Sequence, residues 1–468
     1  MKNNKLQEFE EYLNKRKIAI IGLGVSNIPL IDYLYNKKAN ITVFDNRDLN
    51  IIKEKISKDV LYKIEEYNIK LITGSDCLDK LNSFDIIFRS PSCLPTKKEL
   101  VKEKERGAII TTEIEMLMKL APCKIIGITG SDGKTTTASL IYEILSKSGI
   151  KTHLGGNIGT PLFTKLNEIS QNDIIVLELS SFQLMGMDIS PDISVITNIT
   201  PNHLNIHKDY EEYIEAKKNI FKYQNEKGIV ILNYDNEITK NIKSEVKGEV
   251  IYFSGSQKLE NGYIVEDKII KKCNDGVKEH ILDCREILLR GHHNYENIAT
   301  AFATTESIIN PQNSTNIVKK FKSVEHRLEY VREINRVKWY NDSVSSSPTR
   351  AIAGLNSFDE KIVLIAGGYD KNLDYTPIAK PIIENVTTLI LIGQTANKIN
   401  DCVISEAKKQ NKKIEIYKCN TLKESVLIAS AKAKKGEVVL FSPASASFDM
   451  FKDFADRGIK FKDLVNKI

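Results

Sequence analysis

One stretch constrains this chain more than any other: Ile125-Ile-Gly-Ile-Thr-Gly-Ser-Asp-Gly-Lys-Thr-Thr-Thr137. An apolar run ends at Ile128, a glycine-rich turn follows, and Lys134-Thr135 opens a segment with helical spacing at Leu140, Ile141, Ile144 and Leu145. Strand, tight loop and helix N-terminus in that order predict a phosphate-binding loop within a layered α/β fold. Gly130 and Gly133 let successive N–H groups converge on one anion. The helix end adds partial positive charge, Lys134 a full one, and the Thr135 hydroxyl can ligate Mg²⁺. The spacing is Thr-Gly-x-x-Gly-Lys-Thr, with Ile128 where the common pattern has glycine.

At 468 residues the chain exceeds one core, and its length predicts about three domains. Lysine and arginine exceed acidic residues by six, spread along the chain rather than massed in a stripe, which argues against a nucleic-acid partner. Seven scattered cysteines without a C-x-x-C pair read as reduced thiols. The first twenty residues are highly charged, so no signal peptide is expected there, and no apolar run approaches a membrane span. A cytoplasmic protein with no membrane partner is expected.

The first unit opens with Lys17-Ile-Ala-Ile-Ile-Gly-Leu-Gly-Val-Ser26, a strand into a glycine turn, then a helix over about 27–37 and a strand ending at Asp45. That pattern predicts a nucleotide-binding βαβ unit. Asn27 replaces the third glycine of G-x-G-x-x-G, which favours a nucleotide diphosphate over a dinucleotide and argues against an oxidoreductase. Further strands are expected at 69–73, 85–88 and 108–111, with a boundary near 107–122. In the middle unit, Asp173-Ile-Ile-Val-Leu-Glu178 predicts a buried strand ending in a carboxylate suited to Mg²⁺. Another strand at 193–197 leads towards His203 and a helix carrying Lys217. A β-rich patch is expected over about 248–290. The last unit shows strand signals at 337–340, 362–366, 389–392, 414–417 and 438–441, and a closing helix from Phe448 to Leu464.

Seven motifs in order carry a resemblance: Thr129-Gly-Ser-Asp-Gly-Lys-Thr135, Gly155-Gly-Asn-Ile-Gly159, Glu178-Leu-Ser-Ser-Phe-Gln183, His292-His-Asn-Tyr-x-Asn297, Glu325-His-Arg327, Asn341-Asp-Ser343 and Ser442-Pro-Ala-Ser-Ala-Ser-Phe-Asp449. Together they resemble the ATP-dependent Mur ligases over essentially the whole chain, and most of all the members that add D-glutamate to UDP-N-acetylmuramoyl-L-alanine. The resemblance implies an α/β chain of three domains: a Rossmann-like UDP-sugar domain at 1–110, a central P-loop ATPase-type domain with a mostly parallel sheet at 111–323, and a Rossmann-like amino-acid domain at 324–468. It implies a monomer, ATP, two Mg²⁺ (Mn²⁺ as an alternative) and CO₂ as a carbamate on Lys217.

Residue roles follow from the same resemblance. Lys134, Glu178, His203 and Lys217 would be catalytic, and Thr135, Glu178, His203 and Lys217 would hold metal. ATP would meet Gly130, Ser131, Asp132, Gly133, Lys134, Thr135 and Thr136, then Asn294, Asn297, Arg327 and Asp342. The UDP-sugar would meet Ser26, Asp45, Asn46, Arg47, Ser90, Asn157, Ser180, Gln183 and His203. Glutamate would meet Ser346, Lys371, Ser447 and Phe454. An unmodified Lys217 could not ligate Mg²⁺: two unit charges at about 4 Å repel by roughly 4 kcal/mol at an effective dielectric of about 20, and a divalent ion doubles that. A carbamate is instead a hard anionic ligand. The sequence departs from the family at Val344 (usually lysine), at Ser345-Ser-Ser-Pro348, at Asp132 (usually asparagine), at Asn205 (usually aspartate) and at Ser92 (usually glycine). Rival readings are a related Mur-type or folylpolyglutamate-type ligase adding another amino acid or L-glutamate, and a nucleotide-switch ATPase.

Overall fold

The computed structural model describes residues 3–201 and 206–468. His203 and Asn205 lie outside the described residues. Three sheets order the chain. The first contains β1 (Lys17–Ile21), β2 (Asn40–Asp45), β3 (Lys70–Thr73), β4 (Ile86–Arg89) and β5 (Ile109–Thr111), ordered β3-β2-β1-β4-β5 and all parallel. The second has nine strands: β6 (Lys124–Thr129), β7 (Thr152–Gly156), β8 (Ile174–Glu178), β9 (Ile193–Ile196), β10 (Ile229–Asn233), β11 (Glu249–Ser254), β12 (Gly262–Glu266), β13 (Ile269–Asn274) and β14 (Val277–Asp283). Their order is β14-β13-β12-β11-β10-β9-β6-β8-β7, which realises the expected β-rich patch as an extension of one edge. The third contains β15 (Glu329–Ile334), β16 (Val337–Asn341), β17 (Ile362–Ala366), β18 (Val386–Leu391), β19 (Glu415–Lys418) and β20 (Val438–Phe441), ordered β15-β16-β20-β17-β18-β19. Only β15 runs antiparallel to its neighbour in that sheet.

The loop-bearing strand β6 lies between β8 and β9, parallel to both, with Ile128 opposite Glu178. All three are almost continuously apolar and buried, as a parallel sheet covered on both faces requires. Register therefore delivers the carboxylate of Glu178 beside the start of the phosphate loop.

The chain divides into two compact units: residues 1–266, 271–281 and 297–314, and residues 267–270, 282–296 and 315–468. In the first unit the two sheets share one core. Phe163 meets Phe9, Tyr33 and Phe88 edge-on or tilted, and Leu117, Leu177 and Leu184 belong to the same cluster. The expected boundary at 107–122 holds a buried helix, Glu113–Leu120, capped by Thr112 accepting from the Glu115 N–H. Seven of its eight residues are buried, which makes it part of that core. The closing helix begins at Phe454, not Phe448. Asp453 caps it through the Asp456 N–H, and residues 448–453 remain loop.

Candidate active site

Gly133 caps the helix Lys134–Lys147 in a left-handed conformation (φ 81°), and a Cβ there would come within 2.5 Å of Asn297 Oδ1. Gly130 is tighter still, since a Cβ would fall 1.9 Å from Thr197 Oγ1. The loop is thus glycine by necessity of packing as well as of backbone conformation. Ser131 Oγ lies 2.9 Å from Tyr213 Oη and also accepts the Thr200 N–H. Asp132 donates its N–H to Asn198 Oδ1 at 2.9 Å while its side chain stands exposed. The extra anion therefore sits in solvent, where water screens it.

Two ammonium groups converge on this loop. Lys134 Nζ donates to Gly130 O and Ser131 O, both at 2.9 Å, and Lys217 Nζ donates to the same Gly130 O at 2.8 Å and to Thr129 Oγ1 at 3.3 Å. Lys217 sits on the helix Tyr210–Lys222 and is 2% exposed. Burial, and then the neighbouring Lys134 ammonium, hold its pKa well below that of an ordinary lysine, with Asp132 and Glu178 pulling the other way. Burial and the Lys134 charge both favour the neutral, nucleophilic form of the amine over the ammonium.

Glu178 is 1% exposed. Asn157 Nδ2 donates to its Oε1 at 3.0 Å, and its Oε2 is buried without a hydrogen-bond partner. A buried orphan carboxylate oxygen is costly unless a cation completes it. Together with the Thr135 hydroxyl and a modified Lys217, that oxygen fits a divalent metal by donor chemistry. Among the described residues no three His, Cys, Asp or Glu side chains gather into a metal site. The implied set includes a hydroxyl, a modified lysine and the undescribed His203, so it differs in kind from such a cluster. Asn297 Oδ1 lies 3.3 Å from Thr137 Oγ1, which ties the helix His292–Thr305 to the phosphate loop. Asn294, in the first turn of that helix, donates Nδ2 to the O of Arg290 just before it. Thr136 is buried beside Thr137.

In the first sheet, Asp45 is consumed by structure. Its Oδ2 accepts the Leu23 N–H at 2.8 Å, and Arg47 adds Nη2 to Oδ2 at 2.6 Å and Nε to Oδ1 at 2.8 Å. These bonds hold its carboxyl below the usual range despite burial, and they fix the glycine turn from below. Asn46 is exposed beside them, and Ser90 Oγ lies 3.1 Å from Ser92 Oγ. Ser180 caps the short helix Ser181–Leu184 in a capping box with Gln183, whose Oε1 accepts the Ser180 N–H. Ser26 and Gln183 line one pocket.

The second unit gathers its own group. Asp342, 5% exposed, accepts from Ser442 Oγ at 2.8 Å and from the Leu328 N–H at 3.2 Å; burial pushes its pKa up to about 7 against the opposing charge of Arg327. Arg327 itself is exposed. Ser447 is buried and Phe454 half exposed, with Phe454 O accepting from Ser343 Oγ. Exposed Lys371 Nζ lies 5.6 Å from the Phe448 ring centroid. Ser346 is half-buried, and Arg350 places Nη1 3.4 Å from Val344 O. The position where Val344 replaces a family lysine thus has a cation beside it.

Sequence reasoning missed Arg457. Only 1% exposed, it donates Nη1 to Ser445 O and Ala446 O, Nη2 to Ser343 O and Nε to Ser343 Oγ, at 2.7–3.0 Å. One guanidinium thereby clamps the 442–449 loop to the Asn341-Asp-Ser343 turn. The available signal was its spacing: Arg457, Phe461 and Val465 repeat every four residues, which puts a charge on the buried stripe of a helix. Tyr213 was also missed; its hydroxyl buttresses Ser131 and its ring lies 4.7 Å from Lys217 Nζ.

Because Asp342 is raised when folded, the native state keeps a proton between pH 4 and 7 that the unfolded chain releases. Its contribution to stability therefore falls as pH rises through that window and stays low above it. Asp342→Asn, in which the amide can donate to Ser442, is expected to gain roughly 2–4 kcal/mol over wild type at pH 8 and nothing below pH 4. Denaturant titrations at the two pH values measure this.

The three domain models of one family match in order: "Mur ligase MurD-like, N-terminal domain" over residues 16–112, "Mur ligase middle domain" over 128–305 and "Mur ligase, glutamate ligase domain" over 326–445. Curated relatives match end to end. The UDP-N-acetylmuramoylalanine--D-glutamate ligase of Clostridium botulinum (strain 657 / Type Ba4) is 44% identical over 469 residues, covering 100% of both chains. The chain belongs to the Mur ligase family. The ligase of the same name from Acetivibrio thermocellus is 46% identical to this Mur ligase over 468 residues, covering 100% of this chain and 99% of the relative. Among solved structures, UDP-N-acetylmuramate-alanine ligase MurC from Thermotoga maritima aligns over 97% of this chain and 99% of its own, with a TM-score of 0.58 at 17% identity. MurF ligase from the same organism, in complex with ADP, aligns over 98% and 96% with a TM-score of 0.54 at 17% identity. These structures establish the shared three-domain α/β fold. No described helix is long and apolar enough to cross a membrane.

Proposed function

We propose that this Mur ligase joins D-glutamate to UDP-N-acetylmuramoyl-L-alanine with consumption of ATP, as a cytoplasmic monomer in peptidoglycan synthesis. The observation that carries the reading is the 44–46% end-to-end identity to curated ligases of that name. Residues 1–110 serve the UDP-sugar, 111–323 ATP and 324–468 the amino acid, with the residue roles expected from sequence.

In the reaction, a carboxylate oxygen of the alanyl substrate attacks the γ-phosphorus and ADP leaves. The amine of glutamate then attacks the acyl-phosphate carbon, phosphate leaves and the amine gives up its proton. Lys134 and the first-turn N–H groups of its helix neutralise charge on the moving phosphoryl group. The neutral form of the Lys217 amine suits addition to CO₂: an N–C bond forms, one N–H proton departs, and a buried anion with two oxygens replaces the amine. Glu178, Thr135, His203 and the modified Lys217 would hold Mg²⁺, which when bound polarises the phosphoryl oxygens. Arg457 keeps Ser447 and Asp342 in fixed relation, and Lys371 supplies a cation for the glutamate side chain.

Phosphate release with ATP, UDP-N-acetylmuramoyl-L-alanine and a panel of amino acids tests the reading. D-glutamate is expected to exceed L-glutamate, alanine and diaminopimelate by about 10²-fold or more in kcat/KM, the range that polar recognition of a substrate achieves. Inert D-glutamate alongside an active competitor would assign another amino acid.

A further inference from the structure

One buried histidine, His207, links several parts of the site without belonging to the residues assigned above. The chain beyond Glu178 forms a helix of only four residues, Ser181–Leu184, with Ser180 as its cap. So short a helix is not stable through its own hydrogen bonds, because nucleation orders more backbone than those bonds offset, and neighbouring structure must hold it. The helix Tyr210–Lys222 holds one end, where Asn219 Nδ2 donates to Leu184 O at 3.0 Å. His207 holds the other: its Nε2 lies 2.9 Å from Ser181 Oγ, and both residues are buried. The imidazole is 3% exposed, stacked on Phe182 with ring centroids 5.0 Å apart and meeting Tyr213 edge-on at 5.3 Å. Tyr213 Oη in turn lies 2.9 Å from Ser131 Oγ in the phosphate loop.

Packing alone does not account for a histidine here. A phenylalanine would cover Phe182 and Tyr213 as well and leave no polar atom unpaired. His207 Nδ1, by contrast, is buried without a hydrogen-bond partner, 3.4 Å from Glu212 Oε2. Leaving a buried nitrogen unpaired is unfavourable. What the imidazole supplies and a phenyl ring does not is the bond to Ser181. That bond fixes the start of the helix next to Ser180 and two residues before Gln183, on the chain that has just delivered Glu178 to the phosphate loop. The reacting carboxylate must lie beside that loop, so the relation between helix and loop governs its approach to the γ-phosphorus. We propose that His207 is a positioning residue for the ligation. Through Ser181 on one side and Tyr213 on the other, it fixes Ser180 and Gln183 relative to the phosphate loop. It acts through these neighbours and not on the reacting atoms. The proposal rests on the reading above that Ser180 and Gln183 meet the substrate.

Two variants separate the bond from the packing. His207→Phe keeps both ring contacts and loses the bond, whereas His207→Gln reaches Ser181 with its terminal amide and loses the rings. Phosphate-release kinetics and calorimetric ADP binding are compared for both and for wild type. In His207→Phe, kcat is expected to fall about 10- to 100-fold, the cost of a misplacement on the order of 1 Å, and in His207→Gln to recover to within about fivefold of wild type. ADP affinity and the KM for D-glutamate stay within about twofold of wild type in His207→Phe, because the ring that braces Tyr213 is preserved. A histidine that serves packing alone gives the reverse order, with His207→Phe near wild type and His207→Gln impaired, and that result overturns the proposal. So does a loss of ADP affinity in His207→Phe as large as the loss of kcat. If His207→Phe does not fold, Ser181→Ala removes the same bond from its other end, and a wild-type kcat there overturns the proposal equally. Gln183→Ala with wild-type kinetics would instead refute the premise that this helix meets the substrate, whichever order the His207 variants show.

Discussion

Replacing Lys134 with alanine is expected to lower ligation by about 10³-fold or more while UDP-sugar affinity changes by less than about twofold. The first effect follows from position: the ammonium lies 2.9 Å from two loop carbonyls, inside the turn that must receive negative charge as phosphoryl transfer proceeds. Loss of a single donor to a transition-state oxyanion costs about 10²–10³, and a full positive charge at a phosphoryl group costs more. The second effect follows because the residues proposed to meet the uridine diphosphate, Ser26, Asp45, Asn46, Arg47 and Ser90, belong to the first sheet, whose turn is fixed by Asp45 and Arg47. Phosphate-release kinetics and calorimetry read the two outcomes separately. The variant has a further consequence. Lys134 is the second-largest cause of the depressed basicity of Lys217, so its removal restores part of that basicity and lowers the neutral-amine fraction. A carbamate signal in ¹³C spectra with labelled bicarbonate should weaken in Lys134→Ala, which no role confined to ATP would produce.

Parallel-strand patterning made most of the architecture legible before any coordinates. Runs such as Ile174–Glu178 and Ile362–Ala366 are apolar throughout because both sheet faces are covered, and they bound each βα unit clearly. What escaped was set by tertiary context. The burial of the helix Glu113–Leu120 is one case, because its sequence carries two glutamates and a lysine. Both glutamates are buried, Glu115 against Lys119 and Glu113 against the Phe163 N–H, and neither partner is visible in the local pattern. The strand Glu329–Ile334 was missed because it is half-buried along its length, at a sheet edge, and has no apolar run. In the site, motif-bearing loops could be read directly, whereas the groups that hold them could not. Arg457 and Tyr213 reach back from helices 114 and 82 residues away in sequence, and only the fold brings them together with Ser343 and Ser131.

Lys217→Ala should abolish ligation, with a loss of about 10³-fold or more, and millimolar acetate or formate should restore part of it. The wild-type ammonium has no carboxylate within ion-pair distance among the described residues, shares Gly130 O with Lys134 and is 2% exposed. Burying an unpaired cation beside another is unfavourable, so a lysine retained there for packing or charge alone would be a liability. As a carbamate it would instead be an anion near the Lys134 ammonium and near the cation that Glu178 Oε2 calls for. A short carboxylate entering the space vacated in Lys217→Ala would supply the same two oxygens. Lys217→Arg, which retains positive charge and cannot add CO₂, should be inactive and resist rescue. The pH dependence has a definite sign: carbamate formation requires the neutral amine, so at fixed dissolved CO₂ activity should rise with pH through the lowered pKa of Lys217 and then level off. It should fall in CO₂-stripped buffer and recover on adding bicarbonate. An unmodified, fully active Lys217→Arg enzyme, indifferent to CO₂, would leave the buried lysine without the chemistry that its surroundings favour.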